Sequence, residues 1–347
     1  MIKVGIVGLG KMGLLHLANC RFQEQVEVVA GVDPSKRSQS RARKNGLRAD
    51  QLFDDYEKMF ATKELDVAIV SLPNFLHADA VEAAAERGLS IFVEKPLART
   101  VDECKRILNT VQRSGIQLMV DHNFRYLDCV EKMRELTLRG MLGDIGIATM
   151  EFIMNGPFTA TLEPFPVPEW WFDPEKMGGG ALMDLGYHLF DLYEWIFGSC
   201  SVDYAKTANR YDLPFEDTAI VVLESKGAST KGVINVGWFS KMIFPNFNFR
   251  LIFHGTVGFM STDKIAPRSL YFHSAKEGLR NLLRRLSGEK IDQLSYTYYY
   301  ASYVKSLRAF FDAVKVGADV PVAAEDGLKA VELVEDSYKS ANRPRTS

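Results

Sequence analysis

The first third of the chain alternates short apolar runs with segments in which apolar residues recur at helical spacing. Such alternation of strand and helix predicts a parallel sheet covered on both faces by helices. The predicted strands are residues 3–7, 26–32, 66–72, 90–94 and 116–120, and the clearest predicted helices are 78–87 and 101–114.

After about residue 121 the pattern changes to longer strands with period-two alternation. Predicted helices at 127–139 and 181–196 flank a strand at 145–154 and a stretch rich in proline and aromatic residues at 157–174. Runs of strands and then helices favour an α+β arrangement. We therefore predict an α/β protein with a doubly wound parallel sheet in residues 1–121 and a C-terminal α+β domain with an open, mainly antiparallel sheet in residues 122–347. The later predicted elements are strands 202–210, 217–225, 231–240 and 247–254 and helices 299–315 and 325–341.

A glycine motif, G-x-G-x-x-G, interrupts the chain directly after its first apolar run. Gly8 permits a tight turn, Gly10 lets a pyrophosphate approach the backbone, and Gly13 lets the following helix pack close to the strand. Lys11 and Met12 lie between these glycines, where a helix N-terminus offers N–H groups to phosphate. The motif in this context predicts a dinucleotide-binding Rossmann domain.

An acidic residue at the expected distance refines the cofactor prediction. Asp33 ends the second predicted strand, 20 residues after Gly13, where a carboxylate meets the ribose hydroxyls of the adenosine. That carboxylate would repel a 2′-phosphate, so the sequence favours NAD. Lys36 and Arg37 follow closely and leave NADP as the alternative.

Two further loops follow predicted strands and should share the carboxyl edge of the sheet, where open α/β sheets bind ligands. The first contains Pro73, Asn74 and His77. The second is Glu94-Lys95-Pro96, in which the proline restricts Lys95 to an extended conformation. A lysine there would face the cofactor and lower the pKa of a substrate hydroxyl. Loop punctuation and a surface lysine are the competing interpretations.

The segment 178–191 joins three glycines to a helical pattern containing two ionisable residues. Asp184 and His188 are four residues apart and so project from one helix face. Histidine accepts a proton near neutral pH, and a nearby carboxylate can orient it. We expect Gly186, between them, to leave a gap for a substrate or nicotinamide ring. A hydrogen-bonded structural histidine is the alternative.

Composition and charge reduce the number of protein classes that fit the chain. A formal net charge of −2 gives no electrostatic reason to expect nucleic acid or an anionic membrane as a partner. We see no membrane helix and no secretory signal, and the four scattered cysteines predict core positions in a reducing compartment, hence a cytoplasmic protein without a metal site. The basic segment 276–290 is predicted to be a mobile loop or short surface helix, with phosphate binding as the alternative.

Taken together, these motifs resemble the glucose–fructose oxidoreductase / inositol dehydrogenase / MocA (Gfo/Idh/MocA) family of NAD(P)-dependent sugar and polyol dehydrogenases. The similarity runs in order through the glycine motif, P-N-x-x-H, E-K-P, N-x-R-Y at 123–126 and G-G-G-x-L-x-D-x-G-x-H-x-x-D at 178–191. The resemblance implies a two-domain dehydrogenase with Lys95, Asp184 and His188 as catalytic and substrate-binding residues. An ammonium from one domain and an imidazole from the other would then meet beside the nicotinamide.

The resemblance also implies cofactor contacts by Pro73, Asn74, His77, Glu94 and Lys95. Arg125 is a candidate for positioning substrate or cofactor, with a structural ion pair as the alternative. Trp171, in the run 170–172, either stacks on a sugar ring or packs in the core.

The predicted function is hydride transfer between a secondary alcohol of a sugar, inositol or sugar derivative and nicotinamide. Three alternatives stay open: an aldose–aldose oxidoreductase that retains its cofactor, a nucleotide-sugar dehydrogenase, and a non-catalytic dinucleotide-binding sensor. The expected partner is a small sugar or polyol. An open sheet face that needs cover also predicts a homodimer or homotetramer.

Overall fold

The computed structural model describes residues 1–158, 167–227, 229–239, 247–267, 270–288 and 299–342. The chain folds into two compact units that interleave along the sequence. The first comprises Met1–Lys95, Arg106–Leu127 and Pro267–Ala324, and the second comprises Pro96–Lys105, Asp128–Ala266 and Glu325–Ser347. The predicted domains, residues 1–121 and 122–347, divide the chain at a single point in the sequence. That boundary stays a prediction.

The first unit is built on six parallel strands. They run in the order β3-β2-β1-β4-β5-β6, so β1 and β4 lie side by side at the point where the strand order reverses. Their bounds are β1 Ile2–Val7, β2 Val26–Val32, β3 Leu52–Phe53, β4 Val67–Val70, β5 Ser90–Val93 and β6 Leu118–Val120. The predicted doubly wound parallel sheet is confirmed. The sequence analysis did not include β3, because two residues are too few to show a period.

The second unit is built on a mixed sheet. Its strands run in the order β12-β11-β7-β10-β9-β8, and among the described strands of this sheet only β7 and β10 pair in parallel. The bounds are β7 Ile145–Met154, β8 Cys200–Ala208, β9 Thr218–Ser225, β10 Lys231–Trp238, β11 Phe247–Gly255 and β12 Phe259–Ser261. The prediction of an open, mainly antiparallel sheet is therefore confirmed.

The described residues also form α-helices. In chain order they are α1 Lys11–Cys20, α2 Lys36–Lys44, α3 Tyr56–Thr62, α4 His77–Ala85, α5 Val101–Ser114, α6 Asp128–Leu138, α7 Pro174–Met177, α8 Tyr187–Phe197, α9 Leu270–Leu286, α10 Tyr300–Val316 and α11 Ala324–Ala341. In the described part of the chain, no helix is both long and apolar enough to cross a membrane.

One predicted helix differs in form. The sequence pattern predicts regular α-helix over residues 181–196, but the segment begins with a π-helical turn, Leu182–Gly186, before α8. The expected gap at Gly186 is wrong, because a Cβ there would lie 2.8 Å from Leu182 Cδ1 and 3.6 Å from the ring of Phe190. Apolar side chains fill this space, so the glycine serves close packing.

The basic segment is helical over most of its length. Residues 276–286 belong to α9, which is 17 residues long, whereas residues 289 and 290 lie outside the described part of the chain. The helical alternative is therefore confirmed for these eleven positions, although the helix is longer than predicted. Leu279, Leu283 and Leu286 are more than half exposed along this helix.

Candidate cofactor and active site

The glycine loop directly follows β1. Its backbone is closely packed at Gly8 and Gly13, whereas the space beside Gly10 is open. Gly8 has φ = +94°, and a Cβ there would lie 2.6 Å from the carbonyl oxygen of Ser71. A Cβ at Gly13 would overlap the carbonyl oxygen of Gly8, which accepts a 2.8 Å hydrogen bond from Ser71 Oγ. At Gly10, by contrast, nothing lies within 4 Å of the Cβ position. This open side and the first turn of α1, which has no acidic residue, suit a pyrophosphate.

Asp33 follows β2, the neighbour of β1, and its carboxylate is held by two backbone groups. Oδ2 accepts from the N–H of Leu9 at 3.0 Å, and Oδ1 accepts from the N–H of Ser35 at 2.8 Å. The side chain of Gln39 donates to the Asp33 carbonyl at 2.8 Å. The carboxylate is thus fixed beside the glycine loop and is half-buried. The role of Asp33 on the adenosine ribose stays a prediction.

The loop after β4 is shaped by a histidine. Asn74 and His77 are buried, with 4% and 1% of their surface exposed, while Pro73 is half-buried. A ring nitrogen of His77, Nε2, lies 2.9 Å from the carbonyl oxygen of Leu72. His77 therefore contacts the backbone of its own loop, which sets the position of Pro73 and Asn74 at the sheet edge.

The Glu94-Lys95 pair follows β5 and rests on two residues that the sequence analysis missed. Glu94 Oε1 lies 2.7 Å from His16 Nε2, and Oε2 accepts from the N–H of Lys95 at 3.2 Å. His16 Nε2 is also 3.8 Å from Asp121 Oδ2, and Asp121 Oδ1 accepts from Ser306 Oγ at 2.7 Å. Asp121 directly follows β6, so the rule that selected Glu94 would have selected it too. His16 is the one basic residue in the apolar pattern of residues 14–20.

Burial governs the ionisation of this group. Burial and the neighbouring Glu94 carboxylate raise the pKa of Asp121 to about 7, although His16, Ser306 and Lys95 act in the opposite direction. Burial also lowers the pKa of His16, but its hydrogen bond to Glu94 and the two carboxylates outweigh that effect and raise it overall. Asp121 is therefore the residue of this group whose proton is lost near neutral pH.

Arg125 lies in a 3₁₀ turn, Asn123–Tyr126, just beyond β6. It is 5% exposed, and its backbone N–H donates to the carbonyl of His122 at 3.1 Å. Asn123 in the same turn donates to Ser302 Oγ of α10 at 2.9 Å. The turn is thus anchored to α10, and the role of the Arg125 guanidinium stays a prediction.

In the second unit, Asp184 and His188 lie on one buried helical segment beside aromatic rings. Their exposed fractions are 8% and 6%. Trp238 Nε1 donates to Asp184 Oδ2 at 3.3 Å, and Trp171 stacks on Trp238 with ring centroids 6.1 Å apart. The ring of Phe152 meets His188 edge-on at 5.9 Å. Trp171 thus belongs to the same cluster as the predicted catalytic residues of this unit.

The helical segment that carries Asp184 is anchored at its start by a second missed pair. Glu216 Oε1 accepts from the N–H of Leu182 at 2.9 Å and from the hydroxyl of Tyr338 at 2.8 Å. The backbone N–H of Gly180 donates to the same tyrosine oxygen at 3.2 Å. Burial raises the pKa of Glu216, since these bonds only partly compensate for lost hydration. No single motif marks this pair, because Glu216 and Tyr338 are 122 residues apart.

The segment that follows E-K-P is hydrogen-bonded to α8, the helix that carries His188. The backbone N–H of Leu97 donates to the phenolic oxygen of Tyr187 at 3.2 Å, and both residues are fully buried in the second unit. Tyr187 directly precedes His188. The structure therefore gathers Gly8, Gly13, Asp33, Asn74, Glu94 and Lys95 at one sheet edge of the first unit, and Asp184, His188 and Trp171 in the second. The grouping of Lys95 with Asp184 and His188 stays a prediction.

Comparison with known proteins gives the family. Residues 2–122 match the model of the GFO_IDH_MocA oxidoreductase family, NAD-binding Rossmann fold, and residues 134–346 match its C-terminal alpha/beta domain. The chain is 23% identical over 358 residues to the myo-inositol 2-dehydrogenase of Thermotoga maritima, covering 99% of this chain and 98% of that protein.

Two solved structures share the fold over nearly the whole chain. One is the scyllo-inositol dehydrogenase of Lactobacillus casei with NAD(H) and scyllo-inositol, with a TM-score of 0.77 and 18% identity over 98% of this chain and 96% of that one. The other is the WlbA dehydrogenase of Bordetella pertussis with NADH and UDP-GlcNAcA, with a TM-score of 0.79 and 21% identity over 98% and 95%. The family match and the glycine loop together show that this chain belongs to the Gfo/Idh/MocA oxidoreductase family and is an NAD-binding dehydrogenase.

Proposed function

We propose that this chain oxidises a ring hydroxyl of a cyclic sugar or polyol, with Lys95, Asp184 and His188 as its catalytic residues. One observation carries the substrate class. Asp184 and His188 lie on one buried helical segment whose carboxylate is held by Trp238, on which Trp171 stacks. Aromatic faces beside a hydrogen-bonding carboxylate and an imidazole suit a ring with apolar faces and polar edges.

Each residue has a role that its chemistry allows. His188 takes the proton of the reacting hydroxyl, and the Lys95 ammonium stabilises the developing alkoxide. Asp184 accepts a hydrogen bond from a neighbouring hydroxyl and so fixes which carbon reacts. When bound, the nicotinamide of NAD accepts or returns the hydride. The hydrogen bond between Leu97 and Tyr187 supports this grouping, because Lys95 precedes Leu97 by two residues and His188 follows Tyr187.

The cofactor preference follows from Asp33. Its carboxylate is fixed by Leu9 and Ser35, and a 2′-phosphate would meet a negative charge there. We therefore propose NAD as the preferred cofactor. Lys36 and Arg37 are exposed just beyond it and keep NADP open as a weaker substrate.

A substrate panel tests the proposal. Free hexoses and pentoses, inositols and UDP-sugars are each assayed with NAD⁺ and NADP⁺ by nicotinamide absorbance. We expect turnover with at least one free cyclic sugar or polyol and NAD⁺, and its loss in His188→Ala. Turnover restricted to UDP-sugars would indicate a nucleotide-sugar dehydrogenase.

The same purified protein also tests for an aldose–aldose oxidoreductase and for a sensor. Cofactor that stays bound through gel filtration and cycles between two sugars would indicate the aldose–aldose oxidoreductase. Cofactor binding without spectral change on any addition would contradict the catalytic proposal and indicate the sensor.

We also propose a homo-oligomer that covers the outer face of the mixed sheet. Ile147, Tyr204 and Ile220 are about half exposed on this face, whereas their strand neighbours Ala148, Ala205 and Val221 are buried. Apolar side chains repeated across several strands favour association. Sedimentation of the protein and of the Ile147→Lys/Ile220→Lys double variant tests this, since a wild-type monomer would overturn it.

A further inference from the structure

The proposed mechanism leaves a buried ionisable cluster unused at the carboxyl edge of the first sheet. It consists of His16, Glu94 and Asp121, hereafter the buried triad. Their exposed fractions are 0%, 6% and 0%, and one ligand-type atom from each lies within 4.8 Å of the others. The three residues come from α1, the end of β5 and the end of β6. Side chains of this kind are rarely buried unless they pair with one another.

The hydrogen bonds of the triad join it to the backbone of Lys95. His16 Nε2 lies 2.7 Å from one Glu94 oxygen, and the other Glu94 oxygen accepts from the N–H of Lys95 at 3.2 Å. Asp121 accepts from Ser306 through Oδ1. Among the described residues, Asp121 Oδ2 and His16 Nδ1 are buried without a hydrogen-bond partner. Because Asp121 Oδ2 is buried without a donor, a protonated carboxyl group is favoured over a charged carboxylate.

The distances favour a proton over a metal ion as the shared cation. Two ligands on one zinc ion, each about 2.1 Å from it, lie about 3 Å or more apart. The 2.7 Å separation of His16 Nε2 and Glu94 Oε1 is instead that of a charge-assisted hydrogen bond.

We propose that His16 and Asp121 are positioning residues for the dehydrogenase reaction: they hold Glu94, and through it the backbone of Lys95, and the triad releases a proton at Asp121 that changes the charge next to Lys95. This inference rests on the proposed function through the role of Lys95. The distances and burial that define the triad do not depend on the proposed function.

The groups that face Asp121 come from three elements. They are His16 on α1, Glu94 and Lys95 after β5, and Ser306 on α10. The ring of Tyr303, also on α10, packs edge-on against His16 at 6.3 Å. Loss of the Asp121 proton adds a negative charge next to Lys95. That charge opposes alkoxide stabilisation by Lys95, so hydride transfer should slow as Asp121 ionises.

Stability against pH tests the proton without any assay of activity. The folded-state pKa of Asp121 is about 7, above the ordinary value of 3.8, so the folded chain binds this proton more tightly than the unfolded chain. The stabilisation is full below the ordinary value and is lost as pH rises through the folded pKa. Asp121→Asn mimics the protonated form and keeps an oxygen for Ser306. We expect its Tm to exceed that of the wild type by a margin that grows from pH 5 to pH 8.

Kinetics test the link to Lys95. We expect Asp121→Asn to lose the downward limb of the kcat profile near pH 7. Its kcat should exceed that of the wild type about three- to tenfold at pH 8.5, with little change in KM.

His16→Leu should lower kcat and weaken NADH binding, measured by nicotinamide fluorescence. His16→Gln, which can still donate to Glu94, should restore both. Ser306→Ala removes the hydrogen bond that lowers the pKa of Asp121 and should move the downward limb to higher pH. Ser337→Ala, at a buried helical serine that donates to the carbonyl of Leu333, is its matched control.

The outcomes distinguish the proton on the triad from its effect on Lys95 and from the proposed function. Equal Tm margins at pH 5 and pH 8 would overturn the shared proton whatever the substrate is. A growing margin with an unchanged kcat profile would confirm the proton and overturn its coupling to Lys95. Stoichiometric metal in purified protein, lost in His16→Gln, would replace the proton with a metal ion and overturn the inference. If His16→Leu fails to fold, Asp121→Asn alone decides the matter.

Discussion

Tyr187 accepts a hydrogen bond from the backbone N–H of Leu97 at 3.2 Å, and both residues are fully buried. This bond links the chain segment just after E-K-P to the residue just before His188. Neither partner belongs to a motif that the sequence analysis selected for chemistry. The bond nevertheless joins the two segments that carry the predicted catalytic lysine and histidine.

Tyr187→Phe should lower both stability and activity. The substitution leaves the Leu97 N–H buried without its acceptor, which costs about 1–3 kcal/mol in the free energy of unfolding. We expect kcat to fall, because Tyr187 directly precedes His188 on the same helix. Tyr193→Phe is the control, since Tyr193 on the same helix bonds to Ser225 and Thr230 instead. Equal losses of stability with equal kcat values would show that Tyr187 is only structural.

His188→Ala tests the proposed base. Removal of a general base lowers kcat by about 10²–10⁴-fold. NADH affinity, measured by fluorescence titration, should stay nearly unchanged, because the glycine loop belongs to the other unit. His254→Ala, at an exposed histidine on β11, should leave both quantities at wild-type values. A wild-type rate for His188→Ala with the true substrate contradicts the assignment.

Trp238→Phe tests how Asp184 is held. Phenylalanine keeps an aromatic ring beside Trp171 but removes the Nε1 donor, 3.3 Å from Asp184 Oδ2. A lost hydrogen bond to a buried charged group should lower kcat/KM by about five- to fiftyfold. Trp195→Phe, whose ring lies against the Arg134 guanidinium, is the control and should not change kcat/KM. An unchanged value for Trp238→Phe would mean that this contact does not orient Asp184 during the reaction.

Asp33→Ser tests the cofactor preference. The change removes a negative charge beside the predicted ribose site and should shift the ratio of NADPH to NADH affinity about tenfold or more toward NADPH. Asp50→Ser, at an exposed acidic residue of the same unit, controls for net charge. Tighter binding of NADPH than NADH by the wild type would reverse the inference before any variant is made.

Glu216→Gln should stabilise the protein at neutral pH. Burial raises the folded-state pKa of Glu216, so the folded chain holds its proton more tightly than the unfolded chain. The carboxyl group therefore becomes a destabilising charge as pH rises from its ordinary value of 4.5 through the folded pKa. Glutamine keeps the acceptor for Leu182 and Tyr338.

Thermal unfolding from pH 4 to pH 8 checks this sign. The Tm of Glu216→Gln should exceed that of the wild type at pH 7, and the difference should close toward pH 4. Glu224→Gln, whose side chain is 53% exposed, should show no such trend. A lower Tm for Glu216→Gln throughout would mean that the ionised carboxylate stabilises the helix start.

The order of motifs predicted the fold because each motif is local. Gly8 and Gly13 follow a strand by a few residues, and Asp33 ends the next, so strand periodicity placed all three at one sheet edge. Periodicity could not show that the segment around Gly186 is π-helical, since apolar residues at 182, 185 and 189 fit either helix. It also missed β3 and α3, because β3 has two residues and α3 buries only Met59 and Phe60.

The sequence by itself determined the doubly wound sheet, the glycine loop, the antiparallel second sheet and the family, since these follow from local periodicity and from short motifs in order along the chain. Only the tertiary structure decided which buried groups share protons and which hold the helices in place. His16 reaches Glu94 across 78 residues, Ser306 reaches Asp121 across 185, and Tyr338 reaches Glu216 across 122. Burial raises the pKa of Asp121 and Glu216, and burial is set by the packing of distant segments that no local pattern encodes.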